Sequence, residues 1–176
     1  MKVLVIDDRQ ENIESAKKTL AGHELTLVST TQEAFDILFA WGVRGEHDGF
    51  DVVLTDINMP LGEFSGYRDG SFVGQSGEKA DTEIYWQSKK GQLDLPVGIT
   101  FALAAASLGA LVGICSDRNH HRDWSTALLD LIVFQWQSTR KVATFYTPSP
   151  KNWGEALRKL LREGERTDEN YCEPLE

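Results

Sequence analysis

Hydrophobic and polar positions alternate in blocks along the chain. Val3-Leu4-Val5-Ile6 is a continuous apolar run, as expected of a strand buried on both faces. Ile13, Ala16 and Leu20 then recur at helical spacing, which predicts a helix over 9–21 with Gly22 as its C-cap. Leu25-Thr26-Leu27-Val28 reads as a second strand. Thr30 or Thr31 caps the next helix, with Ala34, Ile37, Leu38 and Trp41 on its inner face. Val52-Val53-Leu54-Thr55 is a third buried strand, ending in Asp56. An Ala- and Leu-rich helix over 97–108 ends at Gly109, and Leu111 to Cys115 is the fourth strand. An apolar helix over 124–134, a fifth strand over 141–146 and a last helix over 151–162 follow. The last helix sets Trp153, Leu157, Leu160 and Leu161 on one face; Trp124, Trp136 and Trp153 read as packing residues.

Two segments break this rhythm. Residues 61–95 hold six glycines and many charges without a sustained period. That is too long for an ordinary connection, so it reads as an insertion, with Ile84-Tyr85-Trp86 as a short strand inside it. Residues 163–176 carry six acids against one Arg and read as a frayed acidic tail behind a domain over 1–162. Five strands alternating with helices predict an α/β fold: a doubly wound parallel sheet with right-handed crossovers and helices on both faces. Sites in such sheets lie at the carboxyl ends of the strands.

Charge and composition narrow the functional classes. The chain of 176 residues has 27 acids against 18 bases, a net charge of −9. That balance opposes a nonspecific nucleic-acid surface, and no direct nucleic-acid partner is expected. The apolar stretch from Phe101 to Ile114 is short and broken by Ser107 and glycines, so no membrane span is expected. Cys115 and Cys172 make no disulfide framework, and no signal peptide precedes the first strand; both fit a cytoplasmic protein.

The chemistry gathers at three strand ends: Asp7-Asp8, Asp56, and Cys115-Ser116-Asp117. If these strands are neighbours, three carboxylates and a hydroxyl share one crevice. Clustered carboxylates repel unless a cation neutralises them, and an all-oxygen set suits Mg²⁺ or Mn²⁺. A carboxylate beside such a metal can attack phosphorus and form an acyl phosphate. Repulsion alone predicts that Asp56→Asn or Asp7→Asn stabilises the metal-free fold by ~1 kcal/mol. On the rim, His120 and His121 with Asp117 and Asp123 offer metal ligands, or form a polar loop before a helix capped by Asp123. The glycines of 66–77 do not follow a strand and lack the Gly-Lys-Ser/Thr ending of a phosphate loop.

At these residues the chain resembles the response-regulator receiver family of two-component signalling. The matches are Val-Leu-Val-Ile-Asp-Asp at 3–8, Asp-Val-Val-Leu-Thr-Asp-Ile-Asn-Met-Pro at 51–60, and Ser116 after the fourth strand. The resemblance implies the flavodoxin-like strand order 2-1-3-4-5. It implies Asp56 as phosphoacceptor, Asp7 and Asp8 as the metal-holding pair, and Asn58 offering its backbone carbonyl to the metal. Ser116 is then the hydroxyl that binds the phosphoryl group and moves in the switch. The donor is a phosphohistidine on a sensor histidine kinase or phosphotransfer protein, and the output is contact with a downstream protein. The apolar helix over 124–134 offers a homodimer face, although burial on the sheet explains it as well.

The chain departs from the family at the end of the fifth strand, where receivers place a Lys before a cis-proline. Here the segment reads Thr144-Phe145-Tyr146-Thr147-Pro148-Ser149-Pro150, so the position falls on Thr147 or Ser149. If on Ser149, Tyr146 takes the place of the aromatic switch residue. Lys141 is at the wrong end of the strand, and Lys151, just past the turn, is a candidate substitute for the missing lysine. Without that cation, a phosphoryl analogue should cause only local change near Asp56 and Ser116, leaving 141–146 and 151–162 as they were. Two other readings keep the same pocket: a pseudo-receiver that binds partners regardless of phosphate, and a metal-dependent phosphohydrolase. The adjacent acids of 7–8 lack the Asp-x-Asp spacing of aspartyl-phosphate hydrolases, which counts against the second.

Overall fold

The computed structural model describes residues 1–44, 49–60, 94–95, 97–117 and 142–165. Five parallel strands form one sheet: β1 (Lys2–Ile6), β2 (Glu24–Val28), β3 (Val52–Asp56), β4 (Leu111–Ser116) and β5 (Val142–Tyr146). Their order is β2-β1-β3-β4-β5, as the family resemblance implies. The ladders pair Ile6 with Thr55, Asp56 with Cys115, and Ser116 with Tyr146, so the three chemically informative strand ends share one edge.

Pleating explains why the central strands are apolar throughout. Successive side chains point to opposite faces, so a strand covered on both sides needs apolar residues at every position. Val3, Val5, Val52, Leu54 and Cys115 pack on one face against Ala16, Leu20, Trp153, Ala156, Leu157 and Leu160. Leu4, Ile6, Val53, Val112 and Ile114 pack on the other against Ala34, Leu38, Trp41, Ile99, Ala102 and Ala105. Helix α1 (Gln10–Thr19) and helix α4 (Trp153–Glu165) thus cover the first face; α2 (Thr31–Arg44) and α3 (Val97–Ser107) cover the second.

The helix ends follow local chemistry. Thr30, rather than Thr31, caps α2: its Oγ1 accepts the Glu33 N–H at 3.2 Å, while Thr31 Oγ1 donates to the Pro60 carbonyl at 2.6 Å. Gly109 has φ +102 and ends α3, with Ala110 N–H donating to Ala105 O and Gly109 N–H to Ala106 O. The expected Gly22 cap is not used. α1 stops at Thr19 with Leu20 as its cap residue, because Leu20 is buried in the core and its own carbonyl accepts the His23 N–H.

Residues 61–93, including the expected strand at 84–86, lie outside the described residues, as do the helix expected over 124–134, Trp124, Trp136 and the chain from 166 on. The ends of the expected insertion are described. Met59–Pro60 pairs antiparallel with Asp94–Leu95, so the chain returns beside the point where it leaves. No helix among the described residues is long and apolar enough to cross a membrane.

Gly98 joins this return to the sheet. Its N–H donates to Ile57 O at 3.0 Å, and a Cβ built on it would fall 1.6 Å from the Asp56 carbonyl oxygen. Only the absence of a side chain lets α3 start this close to the end of β3. Gly98→Ala should therefore cost about 3 kcal/mol or more in urea melts. Gly22→Ala, where the added methyl meets nothing within 4 Å, should change the midpoint little.

Candidate functional site

The parallel register places the C-terminal ends of β1, β3 and β4 side by side. Asp7 follows β1, with its N–H bonded to Val28 O, and Asp56 closes β3. Oxygens of Asp7, Asp8 and Asp56 lie within 4.8 Å of one another; Asp7 and Asp56 are buried and Asp8 is the more exposed. Ser116, at the end of β4, is buried, and its carbonyl accepts the Thr147 N–H at 2.8 Å.

A cation bridges two of these carboxylates. Lys151 is fully buried, and its Nζ lies 2.6 Å from Asp7 Oδ2 and 2.7 Å from Asp56 Oδ1. No lysine stands at the family position, as expected, and it is the candidate substitute past the turn, Lys151, that reaches the pocket. The peptide bond Ser149–Pro150 is cis, and the lysine follows that proline instead of preceding it. Main-chain position alone had pointed to Thr147 or Ser149. Neither supplies the contact made by Lys151: Ser149 Oγ faces α1, 2.8 Å from Glu11 Oε1 and 3.0 Å from Asn12 Oδ1. Thr147 Oγ1 is buried with no hydrogen-bond partner among the described residues. Tyr146 is 65% exposed at the outer end of β5.

The carboxylates differ in their commitments. Asp7 Oδ1 accepts the Arg9 N–H and the Asn12 amide, both at 2.9 Å; Asp7 Oδ2 accepts the same amide at 3.0 Å besides Lys151. Both oxygens of Asp7 are therefore engaged by protein donors. Asp56 Oδ1 accepts the Ile57 N–H at 2.8 Å and pairs with Lys151, while Oδ2 meets no hydrogen-bond donor among the described residues. Asp56 Oδ2, the Asp8 carboxylate and the Asn58 carbonyl are hard oxygen donors of the kind a small divalent cation takes.

Burial pushes the Asp56 carboxyl from 3.8 up to about 6, against the pull of Lys151. Burial opposes charging of Lys151, but Asp56 and Asp7 outweigh it and raise its pKa, so the ammonium stays charged at neutral pH. Burial also pushes the Cys115 thiol up to about 12, leaving it an inert core group. On the rim, Arg9 pairs with Glu11 and with Asp117, the latter at 2.6 Å, tying the loop after β1 to the end of β4. His120, His121 and Asp123 lie outside the described residues.

Asn12 escaped the sequence reading. It is fully buried and bonds Asp7, Lys151 and Trp153. The available signal was a polar residue one turn before Ala16, on the inner side of an otherwise apolar-faced helix.

No protein-family model matches the chain, and no curated relative does. Solved structures do. The beryllofluoride-activated receiver domain of DrrB matches with a TM-score of 0.51 at 15% identity, covering 94% of this chain and 97% of that one. The signal receiver domain of an HD-domain protein from Pseudomonas fluorescens Pf-5 matches with 0.51 at 12% identity, covering 93% and 96%. A response-regulator receiver protein from Clostridium thermocellum matches with 0.49 at 18% identity, covering 93% and 96%. At these identities the likeness is one of architecture: the chain has the receiver-domain fold, in a divergent sequence.

Two stability measurements check the charge arrangement. The repulsion argument for Asp7 is corrected by its ion pair: removing one partner of a buried pair strands the other. Lys151→Met should cost about 3–5 kcal/mol at pH 7 in denaturant melts, and Asp7→Asn should also destabilise.

Asp56 behaves differently. Its folded pKa lies above the unfolded value, so between about pH 4 and 6 the native state keeps a proton that the unfolded chain has released. Stability from this group therefore falls as pH rises through that window. In EDTA, Asp56→Asn should stabilise by about 1–3 kcal/mol at pH 7 and by little at pH 4. A gain of the same size at both pH values would contradict the assignment.

Proposed function

We propose that the chain is a receiver-like signalling protein that accepts a phosphoryl group on Asp56. The observation that carries this reading is the buried Lys151 ammonium held between Asp7 and Asp56 at the C-terminal edge of the sheet, with Asp8 beside them. A lysine whose sole task is to neutralise buried acids is a poor stability device, because desolvation offsets most of the attraction. A cation beside a carboxylate with one oxygen that meets no donor among the described residues is suited to meeting a third, incoming anion.

In the proposed reaction Asp56 Oδ2 attacks the phosphorus of a phosphohistidine on a sensor kinase or phosphotransfer protein. The new P–O bond forms as the P–N bond breaks, and the leaving imidazole takes up a proton. Lys151 holds Oδ1, which directs Oδ2 outward, and then pairs with a phosphoryl oxygen. Asp8, Asp56 and the Asn58 carbonyl are the residues that would hold Mg²⁺ or Mn²⁺, which supplies neutralisation of charge on the phosphoryl oxygens. Asp7 serves as the counter-ion of Lys151. Ser116 supplies a hydroxyl to the phosphoryl group, and Thr147, buried just past β5, a second. Output is contact with a downstream protein. The receivers of similar fold, one of them in an HD-domain protein, support this class of partner.

Acetyl phosphate with Mg²⁺, followed by intact mass measurement, tests the reading. A stable adduct of one phosphoryl group, lost in Asp56→Asn, is expected. No adduct would mean a phosphate-independent binding module, and fast release of phosphate a hydrolase. Because Lys151 leads directly into α4, beryllofluoride with Mg²⁺ should shift amide signals from Asp56 through Lys151 to Trp153. Shifts confined to Asp56 and Ser116 would show that the lysine reports nothing.

A further inference from the structure

We propose that Asn12 is a positioning residue for phosphoryl transfer, holding Lys151 against Asp56 through both ends of its side-chain amide. The proposal rests on the reading of Asp56 as phosphoacceptor. Asn12 lies on α1, and among the described residues its side chain bonds Asp7, Ser149 and Lys151, not Asp56. Its Oδ1 accepts the Lys151 N–H at 3.0 Å, and its Nδ2 donates to both oxygens of Asp7 at 2.9 and 3.0 Å. One planar group thus fixes the backbone from which the lysine springs and the counter-ion that its ammonium meets.

The need for such a group follows from the lysine's place in the chain. A residue on β5 would be aimed by the sheet ladder. The main chain last bonds to β4 at the Thr147 N–H, and Lys151 comes after both Pro148 and Pro150, which donate no hydrogen bond. A lysine side chain has a flexible four-carbon stem, so Nζ is placed only if its root and its tip are both held. Asn12 holds the root through the N–H, helped by Ser15 Oγ, which donates to Lys151 O at 2.6 Å. It holds the tip through Asp7. Trp153 closes the arrangement: its Nε1 donates to Asn12 O at 2.9 Å, and its ring stands 5.2 Å from Nζ.

The test follows the lysine itself. In the full chain labelled with ¹⁵N-lysine, a buried ammonium exchanges its protons slowly and gives an Nζ signal, which Lys151→Arg assigns. Asn12→Ala should abolish or broaden that signal while the amides of β1, β3 and β4 keep their dispersion. Labelling of Asp56 by acetyl phosphate should fall about tenfold or more, as for other residues that orient a reacting group from behind. Asn12→Asp keeps the acceptor for Lys151 N–H but sets a like charge against Asp7, and should give the same losses. Variants that lose urea stability yet keep the ammonium signal and the labelling rate would overturn the proposal and leave Asn12 a structural residue. Should neither variant fold, hydrogen exchange of the wild-type Lys151 amide decides: protection is expected, and fast exchange would overturn the proposal. If the wild type takes no label, the phosphoacceptor reading fails alone, and the ammonium signal still decides the role of Asn12.

Discussion

The arrangement at the strand ends depends on one buried ammonium. Lys151 lies between Asp7 and Asp56 where water does not reach it, and both carboxylates are within hydrogen-bond distance. A buried charge of either sign is costly unless it is paired and hydrogen-bonded. Here Lys151, both oxygens of Asp7 and Oδ1 of Asp56 are paired with one another and with Asn12, Arg9 and Ile57. The three residues come from the ends of β1 and β3 and from the turn into α4, so the pocket exists only when the sheet has closed and α4 has docked. Lys151 thus joins the charged site directly to the start of α4.

That coupling gives α4 a role that its sequence alone does not suggest. Trp153 begins the helix, is fully buried, and donates to the backbone of α1. A Cβ on Gly154 would stand 2.6 Å from Thr19 O, so the two helices meet closely on the same face of the sheet. Lys151 therefore sits at the head of the seam between α1 and α4. Tyr146 is exposed at the end of β5.

The other side of the pocket is fixed by backbone. The chain leaves at Pro60 and returns at Asp94, and the two points are paired with each other. Thr31 holds the Pro60 carbonyl, and Gly98 brings α3 against the carbonyl of Asp56. A long excursion between paired ends adds little to the entropy of closing the loop, which grows only slowly with length. The sheet can accept it without change in order or register.

The fold was legible in the sequence because its signal is local. Apolar runs at 3–6, 52–55 and 111–115, separated by helical spacing, suffice for a parallel sheet, and the acids at 7, 8 and 56 mark its C-terminal edge. The glycine that ends α3 was readable for the same reason, since a left-handed residue after a helix is a property of a few neighbouring positions. Three features were not readable. Leu20 displaced Gly22 as the cap of α1 because burial in the core outweighs local turn preference. Gly98 looks like one more helix residue until Asp56 stands beside it. Lys151 reads as standing on the wrong side of the last proline, two positions past Ser149, and only the tertiary structure decides that its side chain turns back to Asp7 and Asp56. Sequence spacing fixes where a main chain can go within a few residues. Where a long side chain ends depends on partners 144 and 95 positions away along the chain, and on an asparagine that sequence periodicity marks only as a polar residue on an apolar face.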